Sequence, residues 1–121
     1  MECCEEDLRG WPPVLSKWSE NLTQRPKELA DLVRRGVPEA LRGEVWQRLA
    51  NCYNDEELIA EYAVLLTREC RDEVYVQRDI SRTFPAHEFF REPGSQGQRS
   101  LHNVCKAYAV HDDEIGYCQG N

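Results

Sequence analysis

The chain has 121 residues, with 15 Lys and Arg against 22 Asp and Glu and a net charge of −7. That length suits one domain with a modest core, or part of one. The negative balance repels nucleic acid and anionic lipid and excludes both as electrostatic partners. No run approaches the roughly 18 apolar residues that cross a bilayer, and the opening MECCEED is acidic where a secretory signal is basic and then apolar. A cytoplasmic, soluble protein with no direct membrane insertion is expected.

In chain order, Trp11, Leu15, Trp18 and Leu22 recur at steps of four, three and four after an entry at Pro12 and Pro13, which predicts a short amphipathic helix. Its stripe reads either as core or as a partner-binding surface. A second helix is expected from about Pro26, with Leu29, Leu32 and Val33 inward, Arg34 and Arg35 against the negative end of its dipole, and a stop at Gly36. Pro38 restarts the chain at once, and Leu41, Val45, Trp46 and Leu49 mark a third helix. There Arg42 and Trp46 share a face, so the guanidinium either stacks on the indole or reaches a neighbouring helix end. Asn51 to Glu57 is an acidic loop leading to a fourth helix with Leu58, Tyr62, Leu65 and Leu66 on one face.

The stretch Val76 to Phe90, VQRDISRTFPAHEFF, is different in kind. Asp79 precedes Arg82 by three, Thr83 follows, and Pro85 prevents a helix from running on, so a cation is presented beside a local acceptor at a bend. Spacing alone leaves two readings open, a surface ion pair that staples the bend or an arginine held still for a task. Pro93, Gly94, Ser95 and Gly97 form a polar loop, and a further helix carries Leu101, Val104, Cys105 and Tyr108 to about His111. Asp112 to Glu114 then reads as an acidic turn into one more helix at Ile115, where IGYCQGN begins and Gly120 leaves the backbone beside Gln119 bare. The fold class is all-α, with no repeat or strand alternation.

The six cysteines, Cys3, Cys4, Cys52, Cys70, Cys105 and Cys118, have neither C-x-x-C spacing nor paired histidines beside them. Reduced thiols are expected, with no zinc site and no disulfide framework, and Cys3 and Cys4 fall in a terminus expected to be mobile.

Three motifs in order, Arg42-x-x-x-Trp46, RDISRTFP at 78 to 85 with Ile80 inside it, and IGYCQG at 115 to 120, resemble the TBC domain of Rab GTPase-activating proteins. The wording DLVRRGVPEALRGEVW and AYAVHDDEIGYCQG is most similar to the subgroup with a phosphotyrosine-binding domain upstream. The likeness runs from about Leu32 to Asn121 and leaves 1–31 as a helical lead-in. It implies the N-terminal part of a multi-helix domain, truncated after that half, with apolar helix faces left short of partners.

By that resemblance Arg82 is an arginine finger and Gln119 a glutamine finger, Asp79 and Tyr117 support them with Thr83 alongside, and Arg42 and Trp46 are structural. The implied partner is a GTP-bound Rab small GTPase, whose GTP and Mg are its own; the chain has no cofactor and no reaction of its own, and recruitment to endomembranes runs through the Rab. The chemistry suits these types. A cation stabilises the charge spreading over the transferred phosphoryl group, and an amide can accept from and donate to the attacking water. Two other classes compete, a non-catalytic Rab-binding or scaffold fragment and a cysteine hydrolase using Cys118 with His111 and Asp112, or Cys105 with His102.

Overall fold

A computed structural model describes residues 5–20 and 24–120; Cys3, Cys4, Leu22 and Asn121, on which some of the expectations fall, lie outside them. Among the described residues there are helices and no strands: α1 Glu5–Leu8, α2 Trp11–Glu20, α3 Leu29–Arg35, α4 Glu39–Leu49, α5 Glu56–Thr67, α6 Glu73–Ile80 and α7 Gln96–His111. The all-α class therefore holds. None of these helices is long and apolar enough to cross a membrane. The chain forms two compact units, residues 1–55 and 56–121.

In the first unit Trp11, Val14 and Trp18 of α2 are buried with Leu29 and Leu32 of α3 and Val45 of α4, and Leu15, Val37, Leu41 and Leu49 pack around them. The indole stripe is thus core, the commoner fate of apolar residues at helical spacing. Pro12 and Pro13 sit in the first turn of α2, where a missing N–H costs nothing. The second helix starts three residues later than expected, because Pro26 belongs to a turn whose carbonyl accepts from Leu29 N–H at 3.2 Å. It ends at Gly36, whose φ of 104° is costly for a side-chain-bearing residue.

Two inward assignments in this unit are corrected. Val33 is 36% exposed, since Leu29 and Leu32 already fill the buried side of the short α3. Trp46 is 59% exposed: the buried line of α4 runs through Val45 and Arg48, and position 46 lies a further 100° round. Arg48 is the unexpected core residue. Its guanidinium is paired with Glu44 at 2.7 Å, donates through Nη2 to Ser19 Oγ at 3.0 Å, and lies 4.1 Å over the Tyr53 ring.

In the second unit α7 packs on both α5 and α6. The buried side chains are few and small: Val76 and Ile80 from α6, Ala107 and Ala109 from α7, with Asp79 among them. The face foreseen for the fourth helix is only half covered in α5, where Leu65 and Leu66 are half-buried while Leu58 and Tyr62 are exposed. Likewise Val104 and Tyr108 of α7 face outward, because the alanines make the close approach.

Helix α7 opens earlier than the glycine-rich loop suggests. Ser95 caps it, accepting from Gln98 N–H at 3.2 Å, and Gln98 reaches back to accept from Gly94 N–H at 3.3 Å. Gly97 is therefore helical and buried, and it sits so close to the Phe89 carbonyl that a Cβ there would collide with it.

Candidate functional site

The bend foreseen at RDISRTFP is the end of a helix. Val76, Asp79 and Ile80 are spaced to lie on the buried side of α6, and beyond Ile80 the chain passes through turns. Phe84 has a φ of 48° immediately before Pro85, an unusual conformation for an aromatic residue. Its ring stacks at 5.2 Å on Phe90, which holds the turn closed.

Asp79, 3% exposed, is the centre of the site. Arg82 donates to its Oδ1 through Nε at 2.9 Å and again through Nη2. Tyr117 donates its hydroxyl to the other oxygen, Oδ2, at 2.7 Å. Thr83 donates to the Asp79 carbonyl at 2.6 Å, tightening the helix end that carries Asp79 and leads into Arg82. Arg78 Nε adds a longer contact to Asp79 Oδ1 at 3.5 Å, so both oxygens of this buried carboxylate are occupied, and a carboxylate held in this way is a rigid platform.

The charge states follow from this arrangement. The Tyr117 hydroxyl and the Arg82 guanidinium hold the Asp79 carboxyl below its ordinary range against the opposing effect of burial. Burial, and then the bond to anionic Asp79, push the Tyr117 phenol up to about 12. At neutral pH the trio is anion, cation and neutral donor. Next to the phenol is an apolar groove of about 330 Å³ lined by Val104, Cys105, Tyr108, Ile115 and Tyr117.

The C-terminal stretch does not form the expected helix. Asp112 caps α7 and closes a turn, its carboxylate accepting from Ile115 N–H at 3.2 Å and its carbonyl from Gly116 N–H at 2.7 Å. Gly116 has a φ of 62°, and beyond it the chain is irregular and passes into a turn at Gln119 and Gly120 instead of a helix. This brings Gln119 back to Arg82, whose Nη2 donates to Gln119 Oε1 at 3.4 Å. Both side chains are exposed. Residues 37 apart in sequence are thereby presented side by side, one a fixed cation and the other an amide.

The remaining sequence candidates lie elsewhere. Arg42 donates through Nε to the Val37 carbonyl at 2.9 Å, bracing the corner before α4, and Trp46 does not join the core. His102 Nε2 faces Glu73 at 3.3 Å and His111 Nδ1 faces Glu61 at 3.4 Å. Burial raises the Cys105 thiol, the opposite of what a nucleophile needs. Asp112 is occupied by Tyr108 and Ile115. No hydrolase arrangement is built from these groups, and Cys52, Cys70, Cys105 and Cys118 are thiols.

Asp72 was not visible in the sequence as part of the site. It accepts from Tyr117 N–H at 2.9 Å, and its neighbour Arg71 donates to the Asp113 carbonyl at 2.5 Å.

A family model described as Rab-GTPase-TBC domain matches residues 39–121. The chain is 40% identical over 124 residues to Rab GTPase-activating protein tbc-11 of Caenorhabditis elegans, covering 99% of the chain and 13% of that protein. It is 43% identical over 119 residues to the Ecotropic viral integration site 5 ortholog of Drosophila melanogaster, covering 97% and 14%. To the Ecotropic viral integration site 5 protein homolog of Homo sapiens it is 38% identical over 111 residues, covering 92% and 14%. The chain thus spans only about one-seventh of the length of these relatives.

Proposed function

Since the chain belongs to the Rab-GTPase-TBC domain family, we propose that it serves GTPase activation on a GTP-bound Rab protein, with Arg82 and Gln119 supplied in trans to the Rab's nucleotide site. The observation that carries this reading is the 3.4 Å approach of Arg82 to Gln119 above a single buried carboxylate. In this reading Arg82 neutralises charge developing on the transferred phosphoryl group, and Gln119 orients the attacking water. Asp79 and Tyr117 hold the two in register, and Thr83 fixes the helix end beneath them. The GTP and Mg stay with the partner, and the reaction is the partner's. In this reading the domain begins near Leu32 and is of the subgroup with an upstream phosphotyrosine-binding domain, which the wording DLVRRGVPEALRGEVW supports, and the activity acts in vesicle trafficking on endomembranes reached through the Rab.

Phosphate release from a panel of GTP-loaded Rab proteins tests the assignment. Arg82→Ala is expected to abolish stimulation, on the scale of about 10³ to 10⁵ associated with arginine fingers. Arg82→Lys keeps the charge but loses the paired donors and should fail as well. Equal stimulation by wild type and Arg82→Ala would overturn the finger assignment, whereas binding with no stimulation by wild type would leave only a Rab-binding scaffold.

A further inference from the structure

Helix α6 holds the Gln119 loop at two points, not one. Asp79, in its last turn, takes the Tyr117 hydroxyl; Asp72, at its N-cap position, takes the Tyr117 backbone N–H. The two carboxylates are seven residues apart, close to two full turns, so they lie on the same side of the helix. One residue of the loop is therefore gripped by both its side chain and its main chain.

The N-cap position makes the second grip informative. An aspartate there ordinarily accepts from the N–H of the second or third helical residue. Asp72 does not: its carbonyl accepts from Tyr75 and Val76, while its carboxylate makes no capping bond and is turned to Tyr117, 45 residues onward. The loop approaches so closely that a Cβ on Gly116 would strike the Asp72 carboxylate. Arg71 adds its bond to the Asp113 carbonyl on the same side, and its Nε is 3.7 Å from Asp72.

We propose that Asp72 is a positioning residue for Gln119, fixing the backbone two residues before the amide so that the loop cannot pivot about the Tyr117 phenol. This rests on the reading of Gln119 as a catalytic residue. The phenol fixes the tip of the Tyr117 side chain, whose torsions still let the main chain turn about it. Adding the Tyr117 N–H as a second point defines the direction in which Gln119 leaves the helix. Misplacement by about 1 Å can cost on the order of 10²-fold in rate even from outside the reacting groups.

Two measurements test it, in Asp72→Ala and Asp72→Asn. Asn keeps an oxygen acceptor of the same shape and Ala does not. In Asp72→Ala the Tyr117 amide should exchange with solvent about tenfold faster or more, with the α7 amides unchanged and with Asp72→Asn close to wild type. Stimulated GTP hydrolysis should fall about tenfold in kcat with KM within about twofold, as expected for an interaction acting in the transition state. In a Gln119→Ala background the Asp72→Ala change should add nothing, because the residue acts through Gln119. Unchanged Tyr117 exchange in Asp72→Ala, or an equal rate loss with and without Gln119, overturns the proposal. Wild-type hydrolysis by Gln119→Ala alone would instead overturn the catalytic reading of Gln119, whatever the amide exchange shows.

Discussion

Asp79 and Tyr117 depend on each other's charge state, and opposite ends of the pH scale should expose this. The lowered Asp79 carboxyl contributes stability that is present above the ordinary carboxylate range and is lost as pH falls through its folded value. The raised phenol contributes stability that is complete below about 10 and is lost as pH rises through about 12. Ultraviolet titration of the tyrosines should therefore show one group ionising near 12, absent in Tyr117→Phe. In that variant the Asp79 carboxyl, followed by carbon-detected NMR, should titrate closer to the ordinary value, having lost its main stabilising donor. The D-x-x-R spacing made the Asp79–Arg82 pair legible in the sequence. Asp72 was illegible because its partner is set by a chain reversal through Gly116, which no local pattern encodes.

Capping decides the start of α7. Ser95→Ala removes an acceptor for Gln98 N–H and should destabilise the chain by about 1 kcal/mol in denaturant melts. Gly97→Ala, nominally a gain in helix propensity, should instead destabilise by about 1 to 3 kcal/mol, because the added methyl meets the Phe89 carbonyl. A stabilised Gly97→Ala would show that this contact yields easily. The Ser-x-x-Gln spacing of a capping box is present in the sequence and would have located the helix start, had the neighbouring glycines not pointed to a loop. The absent helix at Ile115 failed for a related reason. Three acidic residues suit a helix N-terminus, but Asp112 was already committed to closing the previous helix. At Trp46 and Val33, apolar identity suggested burial, yet short helices have only a narrow buried side.

Charge and exposed apolar surface together govern the solution behaviour of the molecule. Leu58, Ile59, Tyr62 and Val64 on α5 and Val104 and Tyr108 on α7 are all open to solvent. At pH 7 the net charge of −7 opposes their association, and that repulsion fades as carboxylates protonate toward the isoelectric point near 5.0. Light scattering should rise from pH 7 to a maximum near pH 5, and Val104→Lys with Tyr108→Lys should reduce it at constant helicity. Flat scattering across that range would show that these faces do not self-associate. The helical class was readable from periodicity alone. The division at Asp55 and Glu56 was not, since NCYNDEE looks like any acidic loop and nothing in it reports which helices share a core.

The closeness of Gly116 to Asp72 also constrains how sequences of this kind can drift. A side chain at position 116 and a carboxylate at position 72 compete for one volume, so position 116 is not free to gain a side chain while the acid at 72 is kept. Across homologous chains the two positions should change as a pair: sequences that replace the glycine should also shorten or lose the acid, and the double substitution should be better tolerated than the glycine substitution alone.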